Sequence, residues 1–285
     1  MNNNWEKIVH SLWIGKILSP LEILTIKSFI NNGYIFWLWC YNKIENVPKE
    51  IVIKDANEIF DEKKVFCYKF YNQYGHGKNS YAGFSDIFRY KLLYEYGGWW
   101  TDLDVTLLKP LNFNTSFVFR THHIFKAVGN IMKCPPKTKF AKLCFENAYK
   151  KVNENNKDWD LPILILNHYI KECNLEEYIY DFTNPDKWII VKKYIYKKPI
   201  IPDNWYAFHW INEEWKRHNI SKKFFFKDSF LSYLFDLYNI NVNYLNGYQK
   251  FIERFKLSHV NSFLKMMSKP KSFLFIFRNF FKTNF

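Results

Sequence analysis

Residues Ser80 to Pro110 read SYAGFSDIFRYKLLYEYGGWWTDLDVTLLKP, and this stretch decides the fold. Ser80 can cap a helix in which Phe84, Ile87, Leu92 and Leu93 mark the apolar side, with Asp86 and Arg89 three residues apart on one face. The Gly97-Gly98 pair ends that helix, because glycine takes up the left-handed conformation of a helix end without steric cost. The chain is then predicted to run extended through Trp99, Trp100 and Thr101 into Asp102-Leu103-Asp104. In extended chain, side chains two apart point the same way, so Asp102 and Asp104 face one point while Leu103 is buried behind them. Two such carboxylates repel unless one takes a proton or a hard divalent cation lies between them. Oxygen ligands at a strand end suit magnesium or manganese.

At 285 residues, with 48% apolar and 21% aromatic content, the chain is predicted to form one large α/β domain with a full core. No apolar run approaches the ~20 residues that span a bilayer. The amino terminus lacks the charged, apolar and small-residue pattern of a secretory leader, so a cytoplasmic location is expected. Five cysteines with no C-x-x-C pair predict reduced, mostly buried thiols rather than a disulfide framework or zinc site. A net charge of +14 fits attraction to nucleic acid, an anionic lipid surface or a diphosphate substrate, and equally a lysine-rich solubility surface.

The apolar run Ile8 to Ile14, bounded by Gly15, predicts a buried parallel strand. Ser19-Pro20-Leu21-Glu22 is a capping box with proline at the first helical position. Further strands are predicted over 34–41 and 51–53, giving the β-α-β-α order of a nucleotide-binding half. There is no G-x-G-x-x-G or Walker loop, so phosphates would be held by metal and side chains. Gly75-His76-Gly77-Lys78-Asn79 is predicted as a solvated loop. Thr121-His122-His123 is predicted as strand, with its two histidines on opposite faces. Pro135-Pro136 precedes a predicted helix over 139–151, another helix is predicted over 161–169, and Ile189 to Ile201 is predicted as a hairpin or edge strand.

Ser85-Asp86-x-x-Arg89, Gly97-Gly98-x-Trp100, Asp102-x-Asp104 and the first-strand Leu12-Trp13-Ile14-Gly15 resemble the DXD glycosyltransferases related to yeast outer-chain mannosyltransferase and to the glucosyltransferase domains of large clostridial toxins. The resemblance covers the first ~110 residues well and the remainder at scattered points. It implies a single nucleotide-sugar-binding domain of GT-A type with a mixed, mostly parallel sheet. It further implies a divalent cation (manganese or magnesium) on Asp102 and Asp104, with His209 as a third ligand. The donor would be a UDP-sugar first and GDP-mannose second, its base on Trp13, with Trp100 flanking it or shaping the turn. Asp86 and Arg89 would hold its sugar or ribose, and Trp215 would close near the leaving phosphate. Where the family commonly has Gly-Pro near the acceptor pocket, this chain has Asp160-Leu161-Pro162. Related enzymes retain the anomeric configuration, which implies same-face attack by the acceptor hydroxyl, and the family's surface-polysaccharide type implies a saccharide or lipid-linked saccharide acceptor.

Two other classes use some of the same residues. A metal-dependent phosphohydrolase or nucleotidyltransferase also places two carboxylates at a strand end, but brings further Asp or His ligands at recognisable spacing. A nucleic-acid-binding protein would use the basic and aromatic residues, yet here the best motif is acidic, and no nucleic acid is expected as partner. The catalytic domain is predicted over 1–250, followed by a basic, aromatic extension over 251–285. From Lys250 onward that extension carries Arg254, Lys256, Lys265, Lys269, Lys271, Arg278 and Lys282 against Glu253, interleaved with the run Phe273 to Phe277. Such a mixture suits the interface of an anionic membrane, at the inner face of the cytoplasmic membrane. The alternative is that Phe273 to Phe281 packs on the domain as a last strand or helix.

Overall fold

The structure, a computed structural model, describes residues 4–258. Strand β1 (Ile8–Trp13) is followed by α1 (Pro20–Asn31), β2 (Ile35–Cys40) and β3 (Val52–Asp55); after a long loop come α2 (Ala82–Tyr96), β4 (Gly98–Thr101) and β5 (Val105–Leu107). The chain continues through β6 (Val118–His122), β7 (Lys126–Cys134), α3 (Lys139–Lys151), α4 (Leu161–Glu172) and β8 (Ile179–Tyr180). Helix α5 (Trp188–Tyr196), β9 (Ala207–His209), α6 (Asn212–Arg217), β10 (Phe224–Phe225), α7 (Phe230–Leu237), β11 (Asn243–Tyr244) and α8 (Gly247–Leu257) follow. Seven strands form one sheet in the order β3-β2-β1-β4-β7-β6-β8. The pairs β3/β2, β2/β1, β1/β4 and β6/β8 are parallel, whereas β7 runs antiparallel to both β4 and β6. The fold is therefore the mixed, mostly parallel α/β type expected, with its parallel half built from the first hundred residues.

Local signals explain most of these elements. The capping box at Ser19 forms, with Ser19 Oγ accepting from the chain and the Glu22 carboxylate accepting from Ser19 N–H at 2.7 Å. The α2 helix begins one residue later than Ser80 predicts, at a Tyr81 cap, but Ser80 Oγ still accepts from Ala82 N–H. Gly97 and Gly98 stop it at φ +66° and +96°. A β-carbon on Gly97 would lie 2.4 Å from Pro136, and one on Gly98 would lie 2.8 Å from the Ile8 carbonyl. The turn from α2 into β4 thus needs both glycines, for conformation and for space.

Three readings change. The stretch expected as a hairpin or edge strand over 189–201 instead carries α5 as far as Tyr196, because Val191, Tyr194 and Ile195 recur at helical spacing and are buried in a second core with α7 and the Trp205 to Trp215 segment. Its lysines misled the pattern: Lys192 is itself buried, donating to the Leu257 carbonyl. Strand β7, central to the sheet, has no counterpart in the reading of the sequence, since Ala127 to Cys134 is buried at every position and shows no alternation. Asp102 to Asp104 is a turn rather than extended chain, closed by Val105 N–H donating to the Asp102 carbonyl at 3.2 Å.

At the carboxyl end of the chain, α8 runs across the boundary predicted between 250 and 251 and buries Leu257 in the second core. The rest of the predicted extension lies outside the described residues. All five cysteines are free, three of them buried. Among the described residues no helix is long and apolar enough to cross a membrane.

His10 shows how tightly the parallel half is built. Fully buried on β1, its Nδ1 accepts from Trp39 Nε1–H at 3.1 Å and its Nε2–H donates to the Gly97 carbonyl at 3.0 Å. Only the neutral ring satisfies both bonds. Burial lowers its pKa to about 3, against a smaller upward pull from the Gly97 bond. The unfolded chain therefore takes up a proton near pH 6.5 that the folded chain refuses, and stability falls as pH drops from about 6.5 toward about 3. Between pH 7 and 5.5 this site should remove about 1 kcal/mol. Denaturant melts at the two pH values should show that loss in the native protein and not in His10→Gln; equal pH dependence in both would place the titration elsewhere.

Candidate functional site

The carboxyl edge of the parallel strands carries the site. The register pairs His10 with Trp100, so Leu12 and Trp13 at the end of β1 lie along the same edge as Asp102 at the end of β4. Helix α1 holds the turn after β4 from below: Thr25 Oγ1 donates to the Leu103 carbonyl at 3.0 Å, and Leu107 N–H donates to Ser28 Oγ at 2.9 Å. Leu103 is buried, as its place between the two acids predicts. Beyond the turn, β5 pairs antiparallel with β9, Val105 opposite His209. That short ladder brings residues a hundred positions later against the acidic pair.

Arg89 is buried and bridges two carboxylates, with Nη1 at 3.1 Å from Asp86 Oδ1 and Nη2 at 3.0 Å from Asp102 Oδ1. Trp100 Nε1–H donates to the same Asp102 oxygen at 2.7 Å, and its ring lies against the guanidinium. Burial pushes the Asp86 carboxyl up to about 6, countered by Arg89 and reinforced by Asp102. Burial also raises Asp102, in spite of Arg89, with Asp104 adding to the rise.

Asp104 faces the other direction. Its Oδ2 accepts from Asn212 N–H at 2.7 Å and lies 3.4 Å from His209 Nε2, while its main-chain carbonyl accepts from Trp210 N–H at 2.8 Å. Burial pushes Asp104 up, but His209 and these bonds outweigh it and leave its pKa below the ordinary carboxylate value. His209 Nδ1 lies 2.6 Å from Asp186 Oδ1, and Asn184 clamps the His209 main chain, accepting from its N–H and donating to its carbonyl. Asp186 is in turn gripped by both terminal nitrogens of Arg120, at 2.6 and 2.8 Å. Burial pulls the His209 pKa down, but Asp186 and Asp104 on either side raise it to about 10. Arg120, Asp186, His209 and Asp104 thus form a chain of alternating charge.

The carboxylates of this network, with Arg89, His209 and Asn212, line one cleft of about 520 Å³. Its lining includes Asp86, Arg89, Asp102, Asp104 and His209 together, as the sequence places them. Three predicted ligand contacts are placed differently. Trp100 and Trp215 are each 1% exposed: Trp100 supports Asp102, and Trp215 packs in the second core with its Nε1–H on the Trp210 carbonyl. Neither ring lines the cleft. Trp13 is half-buried, its Nε1 without a partner, and it also stands outside the cleft lining. His122 and His123, expected on opposite faces, are in ring contact at 4.4 Å because β6 ends at His122, and both line the cleft.

Arg120, Asp186, Asn184 and Asn212 were not read from the sequence. An arginine inside the apolar strand run Val118 to Thr121 was the available signal, since a buried arginine needs a carboxylate partner somewhere.

The donor atoms fit a hard divalent cation. The bonds above use Asp102 Oδ1 and Asp104 Oδ2, so each carboxylate keeps a second oxygen outside them, and Asn212 Oδ1 is buried with no hydrogen-bond partner. His209 reaches the centre as the ion-pair partner of Asp104. Among the described residues no three His, Cys, Asp or Glu side chains stand as a ready ligand cluster.

Residues 21–119 match the family described as a glycosyltransferase sugar-binding region containing the DXD motif. The match includes Asp86, Arg89, Asp102 and Asp104. No curated protein matches the chain. Among solved structures the chain is similar to one described as PaToxG glycosyltransferase, 16% identical over 58% of this chain and 68% of that one, with a TM-score of 0.40. It is likewise similar to a transferase mutant carrying two cysteine-to-serine substitutions, 10% identical over 61% of this chain and 86% of that one, TM-score 0.40.

Gly129 on β7 gives the Arg89 bridge its room: a β-carbon there would stand 2.3 Å from Nη1. Gly129→Ala should push the guanidinium off Asp86 and Asp102 and cost about 1–3 kcal/mol of stability. Denaturant melts check it; a variant as stable as the native protein would show that the bridge can shift freely.

Proposed function

We propose that this DXD glycosyltransferase moves a sugar from a nucleotide-sugar donor to a saccharide or lipid-linked saccharide acceptor, with a divalent cation and with retention of configuration, in surface polysaccharide synthesis. The observation that carries this reading is the single cleft lined by Asp102, Asp104, Asn212, Asp86 and Arg89, with the Asn212 side-chain oxygen buried and partnerless. Asp102, Asp104 and Asn212 would hold manganese or magnesium, with His209 at the Asp104 side, where the metal and the proton on Nε2 compete. The cation supplies the positive charge that the departing diphosphate needs.

The chain's own residues do the rest. Arg89 and Trp100 fix Asp102 in one orientation, so its free oxygen is aimed without reorganisation. Asp86, its other oxygen open to the cleft, is placed to accept from a donor hydroxyl. Asp186 locks the ring of His209 and, with Arg120 behind it, sustains charge beside Asp104. The base is assigned to Trp13 at the same sheet edge, with UDP first and GDP second. The acceptor hydroxyl would attack from the face that the diphosphate leaves, which keeps the configuration. A basic and aromatic carboxyl-terminal segment would hold the enzyme on the inner face of the cytoplasmic membrane. Support comes from α8, which exposes Tyr248, Phe251 and Phe255 at helical spacing beside Lys250 and Arg254.

Asp104→Asn keeps an acceptor oxygen for the Asn212 N–H but removes a ligand charge. Manganese-dependent hydrolysis of a nucleotide-sugar panel should fall on the order of a hundredfold or more, with the circular dichroism spectrum preserved. Near-normal turnover would sink the assignment. Trp13→Ala should raise the donor KM more than it lowers kcat, by an amount equivalent to roughly 1–3 kcal/mol of stacking; an unchanged KM would return Trp13 to a purely structural role.

A further inference from the structure

The cleft extends beyond the carboxylate centre between two walls that donor and cation chemistry leave unused. One wall is the loop 72–79 together with Trp159 and Asp160; the other is the turn between β6 and β7. We infer that this outer half is the acceptor subsite and that it is built for a neutral saccharide rather than an anionic one. The inference rests on the sugar-transfer reading and adds to it a place and a substrate class.

The first wall is a continuous aromatic surface. Tyr74, 51% exposed, stacks on His76 at 5.9 Å, and the His76 ring meets the edge of Trp159 at 5.7 Å. The loop is held in that shape by its own chemistry. Gly77 has φ +87°, and a β-carbon there would lie 2.6 Å from the Trp159 ring, so the backbone sits flush on the indole. Gln73 N–H donates to the Lys157 carbonyl, and Trp159 N–H donates to Gln73 Oε1. Such rigid, amphipathic rings offer a flat apolar face to the C–H side of a pyranose at low entropic cost. Across the cleft Ile124, 68% exposed, gives an apolar counter-surface.

Asp160 supplies the polar contact. Its Oδ2 accepts from the Tyr74 hydroxyl at 2.5 Å and from Gln73 Nε2 at 3.1 Å. Both are neutral donors engaged with the same oxygen, so Asp160 keeps its charge, and Oδ1, outside these two bonds, would accept from a sugar hydroxyl in the cleft. The charge of the whole lining points the same way. Although the chain carries +14 overall, seven of the residues lining this cleft are Asp or Glu and one is Arg or Lys. That one, Arg89, is already bridging Asp86 and Asp102. Arg120 and His209 pair with Asp186 and Asp104, Lys216 and Arg217 pair with Glu213 and Glu214, and a bound cation would take up the remaining charge, so the donor's diphosphate together with Asp160 restores the negative balance. A uronate or phosphorylated sugar would enter against like charge.

Saturation-transfer NMR on the full chain tests this, using methyl glucoside, methyl galactoside and methyl N-acetylglucosaminide against methyl glucuronide, with manganese replaced by diamagnetic magnesium. At least one neutral glycoside should receive saturation and methyl glucuronide should receive little. The neutral signal should weaken roughly three- to tenfold in Tyr74→Ala and in Asp160→Ala. It should persist in Tyr149→Ala, which removes a comparably exposed tyrosine from α3. The inference is overturned if no glycoside is contacted, if the glucuronide is contacted as strongly, or if the Tyr74 and Asp160 variants bind as the native chain does. Failure of the underlying reading is seen separately, as a native protein that hydrolyses no nucleotide sugar.

Discussion

Asp104 ties the two ends of the chain together, and the site depends on that tie. Its carbonyl accepts from Trp210 N–H and its carboxylate from Asn212 N–H, over a separation of more than a hundred residues. The β5/β9 ladder sets the register of this contact, opposing Val105 and His209. Closing so long a loop costs chain entropy that a two-stranded ladder of three residues cannot repay alone. The second core does so: Phe208, Trp210, Trp215 and Phe230 pack with Leu21 and Leu24 of α1, the same helix whose Thr25 and Ser28 hold the turn after β4. Burial of aromatic surface, a non-directional force, therefore positions a directional contact. The local cost is visible at Ile211, a β-branched residue held at φ +53° so that the chain can turn Asn212 onto the carboxylate.

Charge in the site is organised by alternation. Arg120, Asp186, His209 and Asp104 run in sequence from the buried sheet to the cleft, each between groups of opposite sign. Arg89 plays the same part between Asp86 and Asp102. Buried charges cost several kcal/mol each when unpaired, so the arrangement makes every removal of one member expensive. What it provides is fixed orientation, since no carboxylate here is free to rotate toward a more comfortable partner. The field outside has the opposite sign. The net charge of the chain is +14, while the cleft lining is predominantly acidic.

Where physics is local, the sequence was readable. The capping box, the glycine pair after α2, the helix over 139–151 and the acidic pair after β4 each follow from residues a few positions apart. Sites that need partners far along the chain were read only where a resemblance supplied them, as with His209. Arg120 and Asp186 meet across 66 positions, and nothing near either residue names the other. Strand β7 was invisible for a related reason: buried on both faces, it has no alternation to show. The α5 helix was misread because surface-type lysines sit among its apolar positions, one of them buried through its stem with its ammonium on a carbonyl. Trp100 and Trp215 illustrate the remaining limit. Tryptophan in a motif signals a large contact, but composition cannot say whether the contact is a ligand or another side chain.

The sheet itself divides the labour. Parallel strands bring several carboxyl ends to one edge, which is where a loop-borne site can gather groups from separate strands. Here β1 and β4 bring Trp13 and the acidic turn to that edge. The reversal at β7 then changes what the sheet can offer. An antiparallel neighbour presents no second carboxyl end there; instead it returns its own backbone alongside β4, so that Asn130 accepts from Asp102 N–H and the smallness of Gly129 admits Arg89. The β6/β7 turn projects past the same edge and forms the outer cleft with the 72–79 loop. One change of strand direction thus separates a half that gathers the charged groups of the cleft from a half that shapes its outer mouth.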